Sequence, residues 1–364
     1  MGRFRSFSVY FLLSLIGAHP AASASSFRVL TFNSWLLPAV LGASKDREIR
    51  KNRMPVALAS TGADLIGLQE VWTTEDQDFL IAQMADRGYS YSARANSVGG
   101  GIFGLGRGLI GNGLLVFSKY EMKSAVHLFS FSGFTRADEY FASKGVIHAE
   151  VNLPDLGWVD FYNTHLGAVF FEPSRRMWNS DQLKSHEDQG KELLRFVLQT
   201  RTHSTQIITG DLNLHPFEWD SKAGAFSLGH LMPLYAQITG SGPKDHQDQA
   251  VFPLAFVDTF HEVNPGRTGA FTYDRELNRY VAEGAFKAEP SLYCDYVLLS
   301  RNQGVVAPKW SEIVFDRAFS GSMGSEIGSY FLSDHFGVVT EFHTEPSKVA
   351  AGATVESKLK PSDG

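Results

Sequence analysis

The chain has 364 residues, 43% of them hydrophobic and 13% aromatic, enough apolar material for one large core or two ordinary ones. A formal charge of -6 weighs against a polyanionic partner such as nucleic acid, and a single cysteine, Cys294, excludes an intramolecular disulfide framework. A lone cysteine is most often a small buried hydrophobe, so a catalytic thiol is disfavoured as well. At the N-terminus, Arg3 and Arg5 precede an apolar run from Phe7 to Ala18, and Ala22-Ser23-Ala24 offers small residues for cleavage. Residues 1–24 therefore read as a secretory signal peptide, too short and wrongly flanked for a membrane span. Its loss would remove two positive charges and leave -8. No other segment is long and apolar enough to cross a bilayer.

From Phe27 to Thr344 the sequence alternates strand-like and helix-like stretches, read as one catalytic domain. FRVLTFN is the first strand, a helix follows over 45–60, ADLIGLQEV is the second strand, and 74–87 is the second helix. The Gly-rich stretch 99–113 contains a formal GxGxxG at 106–111, but it leads into the strand NGLLVFS rather than opening a helix. A dinucleotide site needs the opposite order, so the stretch reads as an apolar loop. GVIHAEVNL alternates with period two, VDFYNTHL follows, and 180–200 carries Leu193, Leu194, Val197 and Leu198 on one helical stripe. TQIITGDLN, DYVLLS and GVVTEF complete the strands, and the polar tail 345–364 reads as disordered. No internal repeat is visible. Mixed strands with helices at intervals predict an α/β or α+β sandwich, two mixed sheets packed together with helices outside.

Several of these strands start or end in polar residues: Asn33, Gln69-Glu70, Asn163 with His165, Asp211 with Asn213, Asp295, and the Ser333-Asp334-His335 run. Each alone reads as a cap or turn, GDLNLHP especially. Together they place carboxylates, amides and imidazoles along strand ends, which in a sheet converge on one crevice.

The ordered set LQEVW, GNGLLVFSK, NTHL, GDLNLHP, DYVLL and SDH resembles the endonuclease/exonuclease/phosphatase superfamily of metal-dependent phosphoesterases, over about Phe27 to Phe342. TFNSWLLP, GNGLLVFSK and the Lys144-Gly145 pair make it look most like the neutral sphingomyelinases. The resemblance implies a four-layered sandwich of the DNase-I type. It implies Glu70 as the main ligand of Mg2+ (or Mn2+), with Asn33 beside it or bridging through water; an oxygen donor set suits such a hard cation. It further implies His335 as general base held by Asp295, and Asp211 positioning the attacking water. Asn213 would donate to the scissile phosphate, and His165 would stabilise the pentacovalent phosphorus or protonate the leaving oxygen. Lys144 is either a phosphate contact or a solvated surface lysine. Asp334 and Asn163 would be supporting residues, while His186 and His261 read as surface or structural.

The implied reaction is phospholipase C-type hydrolysis of sphingomyelin to ceramide and phosphocholine by a secreted or periplasmic monomer. The partner is then a membrane surface carrying phospholipid or sphingolipid, and nucleic acid is not expected. Apolar stretches at 35–42, 102–106, 129–134 and 168–173, including Trp35, Phe170 and Phe171, form a membrane-contact rim if exposed and core if buried. The alternatives are a secreted metal-dependent nuclease, an inositol-polyphosphate phosphatase, and a non-catalytic membrane-binding protein on the same scaffold.

Overall fold

A computed structural model of the chain describes residues 25–38, 44–94, 111–124, 126–132, 143–172, 177–215, 217–220, 225–228, 232–240, 253–284, 287–301, 305–323 and 326–344. Residues 1–24, read from the sequence as a signal peptide, the polar tail 345–364, read as disordered, and most of the Gly-rich stretch lie outside the described residues.

Two six-stranded mixed sheets form the centre. The first runs, edge to edge, Val306–Val314, Gly337–Thr344, Ser26–Leu36, Leu65–Val71, Leu115–Ser118 and Tyr91–Arg94. The second runs Phe256–Asp258, Asp295–Ser300, Gln206–Asp211, Gly157–His165, Gly145–Leu153 and His127–Ser130. Alternation along the first sheet decides its two faces. Val29, Leu65, Val116 and Val338 enter a core shared with Val146, Phe161, Ile207 and Val297 of the second sheet. Their neighbours Leu30, Ile66, Phe117 and Val339 pack instead against Met54, Leu58, Leu80 and Met84, from helices Arg47–Ser60 and Thr74–Ala85. The second sheet is covered by Leu193, Leu194 and Val197 of helix Ser180–Thr200 and by Leu234 and Ile238 of helix Met232–Thr239. Helix, sheet, sheet, helix is the four-layered order that the pattern predicts. Among the described residues no helix is long and apolar enough to cross a membrane.

Register explains why the polar residues meet. The Ser26–Leu36 and Leu65–Val71 strands are parallel, with Asn33 opposite Gln69. In the other sheet Gly157–His165 and Gln206–Asp211 are parallel, with His165 opposite Asp211. Asp295–Ser300 runs antiparallel to the latter, so its first residue faces the last residue of its neighbour, Asp211. A residue that starts one strand and residues that end two others thus share one rim.

The sheets are clamped beneath that rim. The Gln69 amide donates to Asn163 Oδ1 at 2.7 Å, and Asn163 Nδ2 donates to Leu68 O at 2.8 Å and Leu115 O at 3.3 Å. Gly67 makes this approach possible, since a Cβ there would lie 2.2 Å from Thr209 Oγ1 and 2.7 Å from Asn163 Oδ1. Asn163 is therefore a buried strut between sheets and not part of the crevice.

Candidate active site

The first strand does not stop at Asn33, where the apolar run ends; it continues to Leu36 through a bulge. Pairing shifts between Asn33 opposite Gln69 and Leu36 opposite Val71, which inserts one extra residue. Trp35 takes up the bulge at φ 48, and Glu70 and Asn213 also hold positive φ, at 61 and 46. Left-handed conformations at non-glycine residues cost on the order of 1–3 kcal/mol each and persist only where surroundings over-determine them. All three lie at the rim or next to it.

Asn33 is the hub of the acidic side. Its Nδ2 donates to Glu70 Oε1 at 3.1 Å and to Asp211 Oδ2 at 2.9 Å, while its Oδ1 accepts from the Trp35 N–H at 3.0 Å. Two carboxylates share one amide, and Glu70 Oε2 is buried with no partner among the described residues. Burial pushes both carboxyls above the usual carboxylate range, and a neighbouring carboxylate adds to it, Asp211 for Glu70 and Asp295 for Asp211; Lys144, His335 and the Asn33 amide pull the other way. The carboxylate oxygens of Glu70 and Asp211 are donors of the kind that a hard divalent cation prefers. Asn33 in this orientation aligns the carboxylates and turns its oxygen to the backbone.

On the other side, His335 Nδ1 lies 2.9 Å from Asp295 Oδ2, and its backbone N–H donates to Ser333 Oγ at 3.2 Å. Ser333 in turn donates to Asp334 Oδ1 at 3.1 Å, which accounts for all three residues of the Ser-Asp-His run. His335 Nε2 faces Asp211 Oδ2 at 3.8 Å, beyond hydrogen-bond length. Burial alone would lower the His335 pKa, but Asp295, Asp211 and Asp334 outweigh it and hold the imidazole well above its ordinary value. Asp211, Asp295 and His335 also offer one ligand atom each within 4.8 Å of one another. Asp295 Oδ1 and His335 Nε2 lie outside the Asp295–His335 bond, so this trio and the Glu70 side are both candidate cation sites.

Lys144 lies at the rim beside His165. Its Nζ lies 3.0 Å from His165 Nε2 and donates to Leu166 O at 2.8 Å. An ammonium has no acceptor, so Nε2 must be the acceptor and the ring proton sits on Nδ1. His165 is thus neutral: burial, Lys144 and His335 all push its pKa well below the ordinary value. Its 3.4 Å approach to Asp211 Oδ2 is then no ion pair. Asn213 Nδ2 donates to the same Leu166 carbonyl at 3.0 Å, and Asp211 Oδ1 accepts the Asn213 N–H at 2.9 Å. The turn reading of GDLNLHP holds, and the Asp-Asn turn keeps Asp211 at the rim.

Helix Ser180–Thr200 fixes these loops from behind with a polar stripe at i, i+4 and i+7. Gln182 Oε1 accepts the Phe170 N–H at 2.8 Å, His186 Nε2 donates to Leu212 O at 2.7 Å, and Gln189 Oε1 accepts the Gly167 N–H at 2.7 Å. His186 is structural, as read, but buried and not at the surface. His261 Nδ1 meets Asp258 Oδ2 at 2.6 Å, again a structural pairing.

Trp35 corrects the expected membrane rim. It is buried against Tyr280, Phe331 and Phe336 and offers no ring to a bilayer. Phe131 and Val169 are likewise core, and Phe129 stacks on Phe196 with centroids 5.3 Å apart. Phe170 is half-buried, and the Phe171 side chain lies outside what is described. Two rings at the site escaped the sequence reading: Trp72, 6.4 Å from the His165 ring, and Tyr273, 5.1 Å from the His335 ring. Trp72 sits in LQEVW and was open to notice; nothing in the local pattern marks Tyr273.

A family model described as Endonuclease/Exonuclease/phosphatase family matches residues 30–335. A putative neutral sphingomyelinase of Caenorhabditis elegans is 27% identical over 327 residues, 88% of this chain and 67% of the relative. Sphingomyelin phosphodiesterase 2 of Homo sapiens is 28% identical over 195 residues, 52% of this chain and 41% of that protein, so this match spans less than half of its length. Among solved structures, a variant of the Staphylococcus aureus beta toxin with bound magnesium ions superposes with a TM-score of 0.60 at 15% identity, over 88% of this chain and 100% of that chain. At that identity the likeness establishes the fold.

Proposed function

This chain belongs to the endonuclease/exonuclease/phosphatase family, and on that premise we propose that it is a Mg2+-dependent phosphodiesterase of phospholipase C type, cleaving sphingomyelin to ceramide and phosphocholine. The observation that carries the reading is the His335–Asp295 pair, bonded at 2.9 Å and set opposite Asp211 across 3.8 Å. A water held between His335 Nε2 and Asp211 loses its proton to Nε2 as its oxygen attacks phosphorus. Asp295 keeps the ring in the right tautomer and stabilises the imidazolium that forms. Asn213 and Lys144 meet the phosphate oxygens. The bond from phosphorus to the ceramide oxygen breaks, and Lys144, which carries the positive charge of the Lys144–His165 pair, offsets charge on the departing oxygen. That oxygen takes a proton from solvent to give ceramide, while His335 returns the water's proton to solvent. Glu70 would hold Mg2+, aligned by Asn33; bound there, the ion would neutralise phosphate charge in the transition state.

Two relatives named for sphingomyelin hydrolysis support the lipid class. We also propose that residues 1–24 are removed on export and that the mature protein is secreted or periplasmic, which mass spectrometry of the mature N-terminus checks. Phe170 remains, among the described residues, for contact with the lipid surface. The test of function is a panel of sphingomyelin, inositol-headed sphingolipid, lysolipid and DNA, each with Mg2+ or chelator, with products identified. Mg2+-dependent phosphocholine release is expected; cleavage of DNA alone would overturn the reading.

A further inference from the structure

Arg50, in helix Arg47–Ser60, is fully buried, and among the described residues it forms no ion pair. Its guanidinium donates to the main chain instead: Nε to Lys45 O at 2.9 Å, Nη1 to Ser34 O and Leu332 O at 3.0 Å each, and Nη2 to Trp35 O at 2.8 Å. Nη2 also bonds Ser44 Oγ. The guanidinium carbon lies 4.6 Å from the Trp35 ring centroid and 5.7 Å from that of Tyr280. Burying a charge this way is costly, and a chain that needed only packing would place an apolar residue here.

The carbonyls it gathers belong to the two segments that carry the site. Ser34 and Trp35 directly follow Asn33, and Leu332 precedes Ser333-Asp334-His335. The Trp35 peptide is clasped on both sides, its N–H by Asn33 Oδ1 and its C=O by Arg50, with the residue held at φ 48 between them. Ser34 Oγ adds a bond to Gln69 O at 2.7 Å, next to Glu70. We propose that Arg50 is a positioning residue: it locks the left-handed Trp35 bulge, and through it the Asn33 amide that aligns Glu70 and Asp211, onto the loop carrying Asp334 and His335. Without it Trp35 relaxes toward ordinary strand geometry, the oxygen side of the Asn33 amide loses its anchor, and two carboxylates lose their shared donor. Lysine is no substitute, since a compact ammonium cannot reach carbonyls of three separate segments in one plane.

The proposal deepens the phosphodiesterase reading and rests on it for one arm of its test. Mg2+ binding is measured by calorimetry on the purified full chain and on Arg50→Ala and Arg50→Lys, with sphingomyelin turnover alongside. Both variants should bind Mg2+ about tenfold or more weakly, the range typical of lost support behind a metal ligand. For turnover, kcat should fall by a similar factor with KM little changed, and millimolar guanidinium, unlike ammonium, should restore part of the loss in Arg50→Ala. If the variants only melt earlier, with Mg2+ affinity and kcat of the folded protein unchanged, Arg50 is a packing residue and the proposal is overturned. Should Arg50→Ala fail to fold, Arg50→Lys decides by the same two readouts. A wild-type chain that releases no phosphocholine would sink the phosphodiesterase reading, while calorimetry would still judge Arg50.

Discussion

His186 gives the structure a built-in sensitivity to acid that can be worked out in advance. Its Nε2 donates to the Leu212 carbonyl at 2.7 Å, and its Nδ1 is buried with no partner among the described residues. A second proton on Nδ1 would be a buried donor without an acceptor, and burial pushes the pKa down from 6.5 to about 4. The folded state then binds the proton less readily than the unfolded state. This contribution to stability is fully present above pH 6.5 and is lost as pH falls toward 4. At about 1.4 kcal/mol per pKa unit the whole effect is about 3 kcal/mol, of which about 2 kcal/mol has gone by pH 5. His186→Gln keeps a donor for Leu212 O but cannot take up a proton. Urea unfolding at pH 7.5, 6 and 5 should show the wild type losing about 2 kcal/mol more than this variant. Parallel losses in the two proteins would refute the reasoning and place the acid-sensitive group elsewhere.

Glu70→Gln removes the charge that a divalent cation needs, so the Mg2+ concentration for half-maximal turnover should rise at least about tenfold while the circular dichroism stays native. For the dyad, Asp295→Asn should lower kcat by about two to four orders of magnitude with little change in KM, and the double variant with His335→Ala should be hardly worse than His335→Ala alone. The acid limb of the kcat profile should lie above the ordinary imidazole value, because the base must be neutral and its carboxylate neighbours hold it protonated; in Asp295→Asn that limb should move to lower pH. Asn163→Ala leaves the Gln69 amide and two strand carbonyls without their partner, so unfolding free energy should fall by about 3 kcal/mol, while kcat of the folded protein at low temperature should be nearly unchanged.

What the sequence disclosed and what it hid have different physical sources. Strand ends were legible because apolar alternation stops where a polar residue meets solvent or site, and the register then does the gathering, as with His165, Asp211 and Asp295. Helix Ser180–Thr200 was legible from its apolar stripe, but the opposite meaning of its polar residues was not. Gln182, His186 and Gln189 look like a solvated face until the loops behind the rim are in place. Tertiary packing likewise decided Trp35: an aromatic beside a motif strand looks available to a membrane, and only the folded chain shows Arg50 and Tyr280 around it. The bulge that ends the first strand, and the Gln69–Asn163 clamp between sheets, depend on partners far away in sequence and leave no local period.

The central claim is that His335 directs water to phosphorus and that ceramide departs with its own oxygen. Turnover of sphingomyelin in 18O-enriched water, followed by mass spectrometry of both products, tests it directly. One 18O atom in phosphocholine and none in ceramide is the predicted result. Label in ceramide would mean that the carbon–oxygen bond breaks instead, and the roles given to His335, Asp295 and Asp211 would be wrong.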